Sequence, residues 1–165
     1  MAGAPYHLDV TTEGWDAVNR AMRAEEDGKQ LRKELAKNLR EALKPAAAEA
    51  KTGIMSMSAA MTTSPALRPA IAKRIRPEVK LGGYWTGARI KAFKTRGLRD
   101  FPNAPKRTQR AGGWRTRTFG RDEWRTQHGK TKWFDRAMHP QSAAYKAAVA
   151  AALEAMAARI AARSR

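Results

Sequence analysis

The clearest order in the chain is a four-residue beat of leucines. Leu31, Leu35, Leu39 and Leu43 stack on one helical face, while Lys29, Lys33, Lys37, Arg40 and Glu41 fill the other. The spacing predicts an amphipathic helix, and Asp27 with Gln30 has the arrangement of a capping box at its start. Pro45 must kink or restart that helix, since a proline inside it removes a hydrogen bond; the alanine-rich run 46–50 then carries it to near Gly53. Ahead of it, residues 1–26 read as a loose N-terminal segment with room for a short helix over 15–26. Beyond it, 54–63 mixes methionine with serine and threonine without a period, and reads as helix end and loop. Ser64-Pro65 offers a new helix start, and Leu67, Ile71 and Ile75 predict short basic turns closed by Pro77.

From Val79 the pattern changes period. Gly82-Gly83 signals a turn, and Tyr84, Thr86, Ala88, Ile90 and Ala92 alternate with Trp85, Gly87, Arg89, Lys91 and Phe93, which predicts a half-buried strand. Residues 94–113 hold Gly97, Pro102, Pro105, Gly112 and Gly113 among basic side chains and read as a long loop. A second strand is expected over 114–119, with Arg115 and Arg117 alternating with Thr116 and Thr118, and a third over 123–127. Pro140 suits a first helical turn, and Tyr145, Val149, Leu153, Met156 and Ile160 define a long alanine-rich helix. The expectation is one α+β domain over 1–165: helices over 27–77, a small antiparallel basic sheet with a long loop over 78–136, and a C-terminal helix over 137–165 packed on it.

Charge sharpens this picture. Residues 1–65 carry nine basic and nine acidic side chains, 66–136 carry twenty and five, and 137–165 carry four and one. The middle therefore holds +15 of the +18 net charge, mostly as arginine, whose planar fork suits phosphate and carboxylate. Its anionic partner is expected to be nucleic acid or an acidic protein surface. Tyr84, Trp85, Phe93, Phe101, Trp114, Phe119, Trp124, Trp133 and Phe134 separate this segment from a disordered basic tail. The chain has no cysteine, so disulfide and thiolate chemistry are out of reach. The uncharged stretch 52–67 is too short and too polar to span a membrane, and no signal-peptide pattern opens the chain, so a soluble, unexported protein is expected.

Candidate catalytic groups are sparse. His7, His128 and His139 lie far apart with no metal-ligand spacing, and Asp122-Glu123 would point to opposite faces of a strand and suits a solvated turn or salt bridge. Ser56, Ser58 and Ser64 sit in no nucleophile motif, and neither glycine pair has the pattern of a phosphate loop. No enzyme, metal or cofactor is expected. The candidate contact set is Arg89, Lys91, Lys94, Arg96, Arg99, Lys106, Arg107, Arg110, Arg115, Arg117, Arg121 and Arg125, with Trp114 and Trp124 available to stack on bases or to serve as core.

The segment from Trp114 through Phe119-Gly120, followed by Trp124, Gln127, the pair Trp133-Phe134 and the last amphipathic helix, resembles the neck or tail-completion proteins (minor tail Z-like) of long-tailed bacteriophages, especially those of high-GC Gram-positive hosts. The likeness covers roughly residues 29–162 and includes a charged N-terminal helix, a basic helix at Leu67-Arg68 and a glycine-initiated strand from Gly82. Thr116-Arg117 stands where His-Pro is commoner in such sequences. The resemblance implies a non-enzymatic virion protein of the head-tail neck, assembled in the host cytoplasm. It would form a homo-oligomeric ring of six copies that meets the adaptor, stopper, terminator or tail tube, with packaged DNA in the lumen and no membrane. On this view the 94–113 loop either lines the lumen or hooks an acidic surface of the next ring. A tail terminator ring and a basic nucleic-acid-binding protein outside the virion are the alternatives.

Overall fold

A computed structural model describes residues 15–58, 67–98, 101–117 and 122–163. Its elements run α1 (Trp15–Ala24), α2 (Gly28–Ala42), α3 (Lys44–Met55), α4 (Leu67–Lys73), β1 (Ile75–Lys80), β2 (Gly87–Ala92), α5 (Ala104–Thr108), β3 (Trp114–Arg117), β4 (Trp124–Gln127), α6 (Trp133–Met138), a 3-10 turn (His139–Gln141) and α7 (Ser142–Arg163). The class is α+β. The strands form two separate two-stranded sheets, β1-β2 and β3-β4. The chain divides into two compact units: a helical unit from 15–47, 77–91 and 141–163, and a hairpin unit from 48–76 and 92–140.

In the helical unit, α2 turns Leu31, Leu35 and Leu39 fully inward, and Leu43 continues the stripe beyond its end. Each buried leucine is worth about 1.5–3 kcal/mol of hydrophobic transfer. Their partners come from α1, through Trp15 and Met22, and from α7, through Tyr145, Val149, Leu153, Met156 and Ile160, as the periodicity predicts. Helix α7 thus makes its main contacts with α2 and α1, where the sequence led us to expect the sheet. The turn between α1 and α2 requires Gly28, because a Cβ there would lie 2.1 Å from the Met22 carbonyl oxygen.

The capping box does not form. Asp27 occupies the N-cap position without a side-chain cap bond, and its carboxylate instead accepts a 2.7 Å hydrogen bond from Arg163 Nη1 of α7. That bond, helped by the guanidinium charge, holds the Asp27 carboxyl below its ordinary value. Arg159, one helical turn earlier, pairs with Glu34. The helix restarts at Lys44 with Pro45 in its first turn, so the proline's missing donor falls where no intrahelical bond is needed.

Ile75 corrects the reading of 67–77. It begins β1 rather than ending a helix, because Pro77 disfavours helical geometry at Arg76 and so forces the chain to extend. Helix α4 closes one residue earlier with Arg74 N–H donating to the Ile71 carbonyl. The following strand is also shorter than expected: β2 starts at Gly87, and Tyr84 is fully exposed in the connection. Across this ribbon Glu78 accepts from Arg89 Nε at 2.6 Å and lies 3.7 Å from Lys91 Nζ, all three half-buried. Burial pushes the Glu78 carboxyl up, yet Arg89, Lys91 and Lys80 outweigh it and hold the group below its ordinary value.

Two outcomes follow. Leu35→Ala is expected to cost about 2–5 kcal/mol in urea unfolding, because the site is fully enclosed. Glu78 has a lowered folded value, so its stabilisation is present above the ordinary carboxylate value of 4.5 and fades as pH falls through the folded one. Glu78→Gln should therefore lower Tm by a few degrees at pH 7, with the gap to the parent closing in thermal melts as the pH is taken down from the ordinary carboxylate value of 4.5 through the lower folded one.

Candidate functional site

The described residues of 94–113 do not form an open loop. Thr95 N–H donates to the Pro102 carbonyl at 2.8 Å and Thr95 Oγ1 to the Phe101 carbonyl at 2.8 Å, which closes a small turn. The short helix α5 follows and buries Ala104, Pro105 and Thr108. Thr108 Oγ1 donates to the Ala104 carbonyl at 2.8 Å and accepts from Trp133 Nε1 at 3.2 Å, while Gln109 Oε1 accepts from Phe134 N–H at 2.7 Å. Thr108 of α5 and its C-cap residue Gln109 thereby lock α6, where Trp133 and Phe134 are almost fully buried and meet edge to face at 5.6 Å. Short connections with many glycines and prolines conceal this order, because it rests on side-chain-to-backbone bonds rather than an apolar period.

On this base stands the hairpin β3-β4, antiparallel with Trp114 opposite Gln127, Arg115 opposite Thr126, Thr116 opposite Arg125 and Arg117 opposite Trp124. Both strands were expected from the sequence. Paired residues share a face, so Arg115, Arg117, Trp124 and Thr126 lie on one side, and Trp114, Thr116, Arg125 and Gln127 on the other. Trp114 is half-buried, with its ring 5.1 Å from that of Phe101. Trp124 is 51% exposed, and the guanidinium carbons of Arg115 and Arg117 lie 5.6 and 5.4 Å from its ring centroid. The two tryptophans therefore divide the roles left open by the sequence: Trp114 packs, and Trp124 is displayed.

Asp122 and Glu123 act as salt-bridge partners, 3.6 Å from Arg117 and 3.9 Å from Arg125. Both pairs are well exposed, so they hold their cations weakly and leave them open to exchange. Lys94, Arg96 and Arg110 are also exposed in this unit; Lys106 and Arg107 are half-buried, and Arg107 lies 5.2 Å over the Phe101 ring. Arg89 and Lys91 belong to the helical unit, where Glu78 engages both and Arg89 also lies 4.1 Å over Trp85. One carboxylate thus serves two cations, which orders both side chains and leaves the ribbon a net positive charge. Arg99, Arg121, Phe119 and Gly120 lie outside the described residues.

Among the described residues, no three His, Asp or Glu side chains gather where they could hold a metal ion. No helix among them is long and apolar enough to cross a membrane. The surface can bind anions through guanidinium groups and stack a flat group on Trp124. No protein-family model matches the chain, and no curated protein or solved structure is significantly similar to it.

The hairpin's foot supplies a direct check on its geometry. Gly113 has φ 62, and a Cβ there would lie 1.9 Å from the Gln127 carbonyl oxygen, whereas one on Gly112 would meet nothing within 4 Å. Gly113→Ala is expected to destabilise the protein by roughly 1–3 kcal/mol and Gly112→Ala to be near neutral. Equal melting shifts for the two variants would contradict the arrangement.

Proposed function

We propose that this chain is a non-enzymatic structural protein of the bacteriophage head-tail junction, acting as a ring of identical copies that joins the head connector to the tail tube. The observation that carries the reading is the coherence of the family-like pattern. Trp114, Trp124, Gln127, Trp133 and Phe134 all fall within one compact unit, with Trp114, Trp133 and Phe134 turned toward its interior. The basic side chains Arg115, Arg117 and Arg125 are left on the outside of the same hairpin. In a ring each copy would repeat this hairpin, and repetition converts weak exposed ionic contacts into avidity for an anionic neighbour.

Trp124 favours a second reading, that of a nucleic-acid-binding protein outside the virion. An exposed indole flanked by two guanidinium groups is a stacking platform for a base of single-stranded nucleic acid. That function predicts affinity falling with salt at a log-log slope near minus 0.7 per neutralised phosphate on single strands.

Electron microscopy of lysates carrying an amber codon early in the gene of the encoding phage tests the first reading. Separate full heads and normal-length tails are the expected result. Over-long tails would make the chain a tail terminator, and intact virions in normal numbers would overturn the junction role in favour of the nucleic-acid reading. In a rescue assay with the gene supplied in trans, Arg115→Glu with Arg117→Glu is expected to reduce joined particles at least about tenfold, since charge reversal across a contact costs several kcal/mol; Lys29→Glu, distant in sequence and exposed, should rescue normally.

A further inference from the structure

The N-terminal residues 1–65 are neutral in total, yet the fold sorts their charges. Three carboxylates of α2 and its flanks are engaged: Asp27 with Arg163, Glu34 with Arg159 and Glu41 with Lys44. The cations Arg32, Lys33 and Arg40 instead line an open groove of about 320 Å3, with Ala36 of α2 and Val79 and Leu81 at the end of β1. Among the described residues, no carboxylate lines it. Arg32, Ala36 and Arg40 are four residues apart, so they form one row along roughly two turns, about 12 Å of helix.

Two details aim this groove at an anion. Arg32 donates to the Leu81 carbonyl, which fixes its guanidinium at the groove wall with further N–H groups to spare. A Cβ on Gly82 would lie 3.3 Å from Arg32 Nη2 and 3.6 Å from Arg23 Nη2, so two guanidinium groups converge on one point. Lys33 and Arg40 are exposed and form no ion pair among the described residues. Like charges held together repel, and a bound anion relieves that repulsion.

We propose that the groove between α2 and the end of β1 docks an acidic amphipathic segment of a partner protein. Its carboxylates would meet Arg32, Lys33 and Arg40, and an apolar side chain would rest on Ala36, Val79 and Leu81. The apolar floor argues for protein over nucleic acid, whose phosphate backbone has no group to place there. The groove's chemistry holds with or without a virion role.

The test uses full-length protein and a fluorescein-labelled synthetic peptide of about 12 residues, roughly three helical turns, with glutamates at every third or fourth position and leucines on one face. Fluorescence anisotropy should show saturable binding. Lys33→Glu with Arg40→Glu, checked for an unchanged melt, should weaken it at least about tenfold. Replacing the peptide leucines by serine should weaken it as well, and Arg115→Glu with Arg117→Glu should leave it unchanged. Any of four results would overturn the proposal: no saturable binding, full binding to the Lys33/Arg40 variant, full binding of the leucine-free peptide, or groove-dependent binding of a DNA oligonucleotide that is tighter than that of the peptide.

Discussion

With 33 lysine and arginine side chains against 15 aspartate and glutamate, most cations in this chain have no carboxylate to meet, so the position of each carboxylate decides which cations are structural and which stay open. Asp27 and Glu34 tie the last turns of α7 to α2 through Arg163 and Arg159. Glu78 engages Arg89 and Lys91 inside the β1-β2 ribbon. These pairs account for basic residues that a charge count alone would assign to binding.

Aromatic rings take up part of the remainder. Arg76 lies 4.6 Å over Phe93, Arg107 covers Phe101, and Lys80 joins Arg89 at Trp85. The quadrupole of a ring attracts a cation without neutralising it, so these contacts order long side chains while leaving the surface positive. The Trp124 cluster differs in exposure: its indole is half open, and Arg117 beside it meets an exposed carboxylate, Asp122, only weakly. The β3-β4 hairpin in one unit and the α2 groove in the other remain basic for this reason. The hairpin combines cations with a flat ring, and the groove combines them with an aliphatic floor. That contrast is the basis for assigning them different ligands.

Much of the architecture was legible before the structure. The leucine stripe of α2, the restart at Pro45, the α7 stripe and the strands β3 and β4 all follow from period and from proline and glycine chemistry, which act within a few residues. The misreadings share a cause. Asp27 looked like a cap but was drawn to Arg163, 136 residues away in the chain. Ile75 continued a helical spacing, yet the restriction imposed by Pro77 won. Residues 94–113 looked like a projecting loop because their order comes from Thr95, Thr108 and Gln109 bonding backbone and side chains that no local pattern announces.

The sequence by itself therefore determined the α+β class, the helical stripes and the sign of the charge, since each depends on local periodicity or on composition. Only the tertiary structure decided which cations are available, because an ion pair such as Arg159 with Glu34 joins residues 125 apart. The same limit hid the α2 groove. In the sequence Arg32, Lys33 and Arg40 belong to a segment of zero net charge, and only folding separates them from the carboxylates that cancel them on paper.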